Sequence, residues 1–176
     1  MSVNPKVSLA KLILTHDESI DTPLGITNAN GEPRVYINAS DVGVKFEEGR
    51  TQEKYLFEEM FYYSELEKEN IEKEIEEVTV FTKIPKNSIR IPVAGGGTYS
   101  SDFACVVKRK NGEKTLNLIV ETKDVNAERD LRVEEKQKIK HAESMFTHLN
   151  SSIDVKFETQ LKGKVMSDII RKVLQK

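Results

Sequence analysis

Apolar residues recur at two different periods along this chain. Between Thr51 and Val78 neither Gly nor Pro interrupts, and Leu56, Met60, Ile71, Ile75 and Val78 return at helical spacing. The pattern predicts one long helix there. The next stretch, VTVFTKI (Val78 to Ile84), is β-branched and aromatic, which predicts a strand ended by Pro85. A loop through Pro92 and Gly95-Gly96-Gly97 leads into SDFACVVKRKNGEKTLNLIVETKD, Ser101 to Asp124, where apolar and polar residues alternate on both sides of Asn111-Gly112. Asn-Gly between alternating runs is the strongest short-range signal of a type I′ hairpin. From Arg129 to Leu149, the residues Leu131, Ile139, Ala142, Met145, Phe146 and Leu149 fall on one stripe, predicting a second amphipathic helix. A short strand near Ile153–Phe157 and a terminal helix near Val165–Leu174 complete the order helix, three strands, helix, strand, helix. Residues 1–50 are the least readable, with two short strands expected at Val7–Leu14 and Arg34–Ala39 among many Gly, Pro, Asn and Asp residues.

A length of 176 residues fits one domain with a real core. The division expected is residues 1–50 as a linker or edge elements and residues 51–176 as the domain proper. The net charge of −2 gives no overall pull toward nucleic acid, but the distribution is uneven. Residues 1–102 carry 11 basic and 18 acidic side chains, and residues 103–176 carry 16 basic and 11 acidic ones, so the C-terminal part suits a polyanion. The one cysteine, Cys105, excludes an intramolecular disulfide or a multi-cysteine zinc site, and its apolar neighbours mark it as a small buried hydrophobe. No apolar run approaches the ~18 residues of a membrane span and no signal-peptide pattern is present, so a cytoplasmic protein without membrane contact is expected.

The hairpin raises a question of charge. With a two-residue loop, Lys110 opposes Glu113 and Asp102 opposes Glu121. Opposed residues of an antiparallel pair lie ~4.5–5.5 Å apart at Cα, and like charges there repel. Strand alternation puts Ile119, Glu121 and Lys123 on one face with Asp102 and Ala104 across the ladder, and Leu118, Val120 and Thr122 on the other. Two acids and a lysine thus converge at one end of the hairpin. A divalent cation compensates such a pair, since Mg²⁺ is typically held by one or two carboxylates plus water and phosphate oxygens. The plainer alternative is a solvated strand end in which Lys123 neutralises Glu121. A one-residue slip in register would separate the group.

The first helix adds a further acid. At about 100° per residue, Glu67 falls about 20° from Met60 and about 40° from Ile71, inside the apolar stripe. A carboxylate facing a core needs a partner. Either the cation site or a salt bridge to Lys or Arg supplies one; Glu74, on the same stripe, is the second choice.

Taken together, TYSSDFACVV followed by LNLIVETK resembles the PD-(D/E)XK nuclease signature, and more narrowly the C-terminal endonuclease domain of type III restriction enzyme restriction (Res) subunits. The family pattern begins with a helix bearing Ser-x-x-Glu, here Ser64-Glu65-Leu66-Glu67. It continues through Lys83-Ile84-Pro85 and Ile91-Pro92, a Gly-rich stretch, an Asp and Glu-Thr-Lys. A later helix reads L-R-x-x-E-x-x-K-I-x-x-A, matched by Leu131, Arg132, Glu135, Lys138, Ile139 and Ala142. The resemblance spans about Ser64 to Phe157. Ser101 stands where the family more often has Pro, and Asp124 where Gly is common.

The resemblance implies an α/β fold, a restriction-endonuclease-like three-layer core with a mixed central sheet flanked by helices. It implies Mg²⁺-dependent hydrolysis of phosphodiesters in double-stranded DNA. Asp102 and Glu121 would hold the metal, Lys123 would orient the attacking water, and Glu67 would act through the metal or its waters. Glu135 and Lys138 either support the site or pair at its solvent edge. The family also implies partners: a modification (methyltransferase) subunit, and a helicase/translocase motor through which ATP enters. No motor motif is present, so the chain is expected to be a piece of a longer enzyme. Two other readings remain open, a catalytically silent DNA- or subunit-binding relative and a repair or recombination nuclease with the same core.

Other features carry less. AGGGTYS lacks Gly-x-x-x-x-Gly-Lys-Ser/Thr and reads as a connector rather than a phosphate loop. His16, His141 and His148 have no metal-ligand spacing. Lys108-Arg109-Lys110 at the hairpin tip reads as a solvated turn within reach of phosphates.

Overall fold

The computed structural model describes residues 42–47, 51–57, 60–86, 88–93, 96–108, 115–150 and 154–175. Its centre is a four-stranded sheet in the order β3-β6-β7-β8, formed by β3 (Val78–Lys83), β6 (Phe103–Lys108), β7 (Thr115–Lys123) and β8 (Val155–Leu161). The first three run antiparallel to their neighbours and β8 runs parallel to β7. A parallel partner requires a crossover, which α2 (Val133–Leu149) supplies after a 3-10 turn at Glu128–Asp130.

The strands are legible because both faces of the sheet are covered. One face carries Phe81, Phe103, Cys105, Leu118 and Val120 against Ile71 of α1 (Glu65–Glu72) and Met166, Ile170 and Val173 of α3 (Met166–Leu174). The other carries Val80, Ala104, Val106 and Ile119 against Ala142 and Phe146 of α2. Helix, sheet and helix thus make the three layers expected. Phe146 stacks on Phe157 of β8 at 5.7 Å, which anchors α2 over that edge. Cys105 is fully buried, and desolvation pushes its thiol up to about 12. No helix among the described residues is long and apolar enough to cross a membrane.

The β6–β7 register is the one a two-residue Asn111-Gly112 loop requires, Phe103 opposite Val120 and Lys108 opposite Thr115. The loop itself, with Arg109 and Lys110, lies outside the described residues, as do His16 and the strands expected at Val7–Leu14 and Arg34–Ala39.

The single helix expected over Thr51–Val78 is corrected. Residues 60–62 form β2 (Met60–Tyr62), paired with β1 (Lys45–Glu47), and among the described residues of this stretch helix occupies only α1. The Met-Phe-Tyr-Tyr run favours a pleated strand. Ser64 then starts the helix afresh, accepting a hydrogen bond from the Glu67 N–H at 3.3 Å. At the other end no basic residue lies in the last turn, where the helix dipole favours one. Ile75 and Val78 are instead drawn individually into the core below the sheet. Of the first 50 residues, Lys45–Glu47 form an edge element paired with Met60–Tyr62.

Gly96 (φ 88°) and Gly97 (φ 91°) turn the chain between β4 (Ile91–Pro92) and β5 (Thr98–Tyr99). This small ribbon delivers Tyr99 and Ser101 to the end of the sheet where β6 begins.

Candidate active site

β7 is nine residues long and runs past the start of β6, so its last three residues, still paired with β8 on one side, meet the bend at Asp102 on the other. Alternation turns Glu121 and Lys123 to the face of Ile119, and Glu121 is 5 % exposed there. The Lys123 Nζ donates to Glu121 Oε1 at 2.7 Å and lies 3.8 Å from Glu135 Oε1 on α2. Glu121 Oε2 is buried with no hydrogen-bond donor. Asp102 Oδ2 accepts from the Thr122 N–H at 2.7 Å and from the Thr122 hydroxyl at 2.6 Å.

Electrostatics follow from this crowding. Burial, and then the nearby charge of Asp102, push Glu121 up to about 8, although Lys123 and Lys138 pull the other way. Burial alone would lower Lys123, but attraction to Glu121 together with Asp102 and Glu135 outweighs it and the ammonium is favoured. The Tyr99 hydroxyl donates to the Lys138 carbonyl at 2.8 Å. Burial raises its phenol, with Glu121 adding to the shift.

The group expected from sequence is therefore partly assembled here: Asp102, Glu121 and Lys123 converge, with Glu135 at their edge. Glu135 is also held by Arg132 at 3.3 Å, the solvent-edge pairing foreseen for it. Glu67 is placed elsewhere. It is 4 % exposed, but its carboxylate pairs with Lys83 and accepts the Tyr63 N–H at 2.7 Å. Lys83 lies over the Phe103 ring at 5.3 Å, on the sheet face opposite Glu121. The stripe argument for Glu67 failed with the helix it assumed, since Met60 is in β2; its burial was anticipated, and the salt-bridge alternative is the arrangement observed. Glu74 is exposed and accepts the Glu53 N–H. Asp124 pairs with Lys162 at 3.1 Å with both side chains largely in solvent, so this departure from the family pattern stays at the surface.

Thr122 and Tyr99 beside the site were not singled out from sequence, and Lys83, named there only within the family pattern, was not matched to Glu67. Lys83 had a signal, a lysine ending a strand whose other positions suit a core. Thr122 had none, because its partner depends on where β6 starts.

The donor set fits a hard divalent cation. Two carboxylates approach one another, one oxygen of Glu121 is buried and unpartnered, and a bound cation would relieve the upward push on that acid. Among the described residues no cluster of three or more His, Cys, Asp or Glu side chains is poised to hold a metal. Mg²⁺ does not require such a cluster, since it typically keeps several waters and takes phosphate oxygens beside one or two carboxylates.

Residues 53–164 match the family model described as "Endonuclease domain". Over 154 residues the chain is 49% identical to the "Type III restriction-modification enzyme EcoPI Res subunit" of Escherichia phage P1, covering 86% of this chain and 16% of that protein. It is likewise 49% identical over 154 residues to the "Type III restriction-modification enzyme EcoP15I Res subunit" of Escherichia coli. The chain thus spans about a sixth of the length of these relatives. No solved structure matches it. A family match over most of the chain, identity to two Res subunits and a sheet with helices on both faces agree: the chain belongs to the endonuclease-domain family of type III restriction enzyme Res subunits.

Proposed function

We propose that the chain hydrolyses phosphodiester bonds of double-stranded DNA as the Mg²⁺-dependent endonuclease domain of a type III restriction-modification enzyme. One observation carries the reading: Asp102, Glu121 and Lys123 meet at one end of the β6–β7 hairpin, and Glu121 Oε2 is buried without a partner. Asp102 and Glu121 are the residues that would hold the cation. When bound, Mg²⁺ supplies polarisation of the scissile phosphate and a lowered pKa for a coordinated water.

The remaining work falls to the chain. Lys123, kept cationic by its acidic neighbours, donates hydrogen bonds to the attacking water or a non-bridging phosphate oxygen and stabilises negative charge as it develops. Glu121 Oε1 holds that ammonium in place. Glu135 provides a second anchor at 3.8 Å, limiting the swing of the long side chain. Glu67 and Lys83 keep the opposite face closed rather than taking part. In the parent enzyme the domain acts beside an ATP-using helicase/translocase domain and a modification (methyltransferase) subunit.

Conversion of supercoiled DNA to nicked and linear forms tests the reading. Wild type with Mg²⁺ is expected to cut at least ~10²-fold faster than Lys123→Ala, with EDTA stopping both. Equal rates for wild type and Lys123→Ala would refute the assignment.

A further inference from the structure

We propose that Thr122 is a positioning residue for Asp102, fixing which carboxylate oxygen is offered to the divalent cation. The inference rests on the reading that Asp102 and Glu121 hold that cation. Its basis is the direction of the main-chain groups in β7. The Asn117 N–H donates to the Asp154 carbonyl at 3.0 Å, and the Lys123 carbonyl accepts from the Lys162 N–H at 3.1 Å. Odd-numbered residues of β7 therefore turn their main-chain groups to β8. Thr122, one step out of phase, turns its N–H toward β6.

At that level β6 has not begun. Its ladder starts with Phe103 opposite Val120, and Asp102 sits in the bend before it. The Thr122 N–H has no strand acceptor and takes the Asp102 side chain instead, at 2.7 Å to Oδ2. The Thr122 hydroxyl donates to the same oxygen at 2.6 Å. Two donors from one residue thus converge on a single carboxylate oxygen. With Oδ2 engaged, Oδ1 is the oxygen left to face a cation shared with Glu121.

The two halves of this clamp differ chemically. Any residue except Pro at this position supplies the N–H; only Thr or Ser supplies a hydroxyl on Cβ. Thr122 is 9 % exposed, and alternation sets it on the face away from Glu121 and Lys123. Its part is confined to holding Asp102. Outer partners that orient a metal-binding side chain typically change metal affinity ~10–100-fold when removed.

Calorimetric titration of MgCl₂ into the full chain tests this, with urea unfolding run on every variant. Thr122→Val is expected to weaken Mg²⁺ binding about tenfold, and Thr122→Ser to restore it to within about threefold of wild type. A Val variant that binds as tightly as wild type, or a Ser variant as weak as Val, overturns the proposal while leaving the cation site standing. No Mg²⁺ binding by wild type overturns the site itself and the proposal with it. Should Thr122→Val fail to fold, Thr122→Ala removes the same hydroxyl without adding bulk, and the same comparison with Ser decides.

Discussion

Replacing Glu121 by Gln isolates what it costs to keep a carboxylate in this position without a cation. Gln has nearly the shape of the protonated acid and does not titrate. Glu121 is 5 % exposed and pushed from an ordinary 4.5 to about 8, chiefly by burial and then by Asp102. An acid whose folded value is raised contributes fully to stability below about pH 4.5 and loses that contribution as pH rises through about 8. At 1.36 kcal/mol per pH unit the span amounts to about 4–5 kcal/mol. Side-chain relaxation and water entry reduce this, so ~2–3 kcal/mol is the expected effect. Urea unfolding of both proteins in EDTA at pH 5 and pH 8.5 measures it, since contributions from groups not coupled to Glu121 cancel in the difference. The variant should gain ~2–3 kcal/mol on wild type between the two pH values, with most of the change between pH 5 and pH 8. Adding Mg²⁺ at pH 8.5 should stabilise wild type and leave the variant unchanged. A difference between the proteins that does not vary with pH would refute the reasoning, because Glu121 would then titrate as a solvated acid.

Breaking the Glu67–Lys83 pair from one side, by Glu67→Gln or Lys83→Met, should destabilise the fold by ~3–5 kcal/mol in thermal or urea unfolding, whereas the double change Glu67→Leu with Lys83→Met should recover much of that loss. Glu67→Gln should also leave Mg²⁺ affinity within about twofold of wild type by calorimetry, as its carboxylate faces Lys83 and not the cation site. Phe146→Ala, which removes the ring stacked on Phe157, should cost ~3–5 kcal/mol in urea unfolding while the Asp102 pair still binds Mg²⁺. Asp124→Ala should change the nicking rate less than about twofold, since that pair with Lys162 stays in solvent.

The part of the site read from sequence is the part set by local rules. Asn111-Gly112 and the alternation around it specify a register, the register specifies faces, and Glu121 and Lys123 follow without tertiary information. The α2 stripe was equally legible, because Ile139, Ala142 and Phe146 are apolar at helical spacing along a chain that Gly and Pro leave alone. Residues 51–78 misled for the opposite reason. Leu56 and Met60 happen to share helical spacing with Ile71, yet local preference at Met60–Tyr62 and the Ser64 cap divide the segment into strand and helix. Glu67 was recognised as buried, but its partner depends on Lys83 arriving from β3, a contact that periodicity on one element does not reveal. Thr122 was invisible in the same way, since its clamp on Asp102 exists only because β7 outruns β6.

Crystals soaked in MnCl₂ and measured at the manganese absorption edge give the most direct test. An anomalous peak is expected within coordination distance of one oxygen of Asp102 and of Glu121 Oε2, with Lys123 alongside and Thr122 still bound to Asp102 Oδ2. A peak at the Glu67–Lys83 pair, or none between Asp102 and Glu121 at saturating Mn²⁺, would contradict the account.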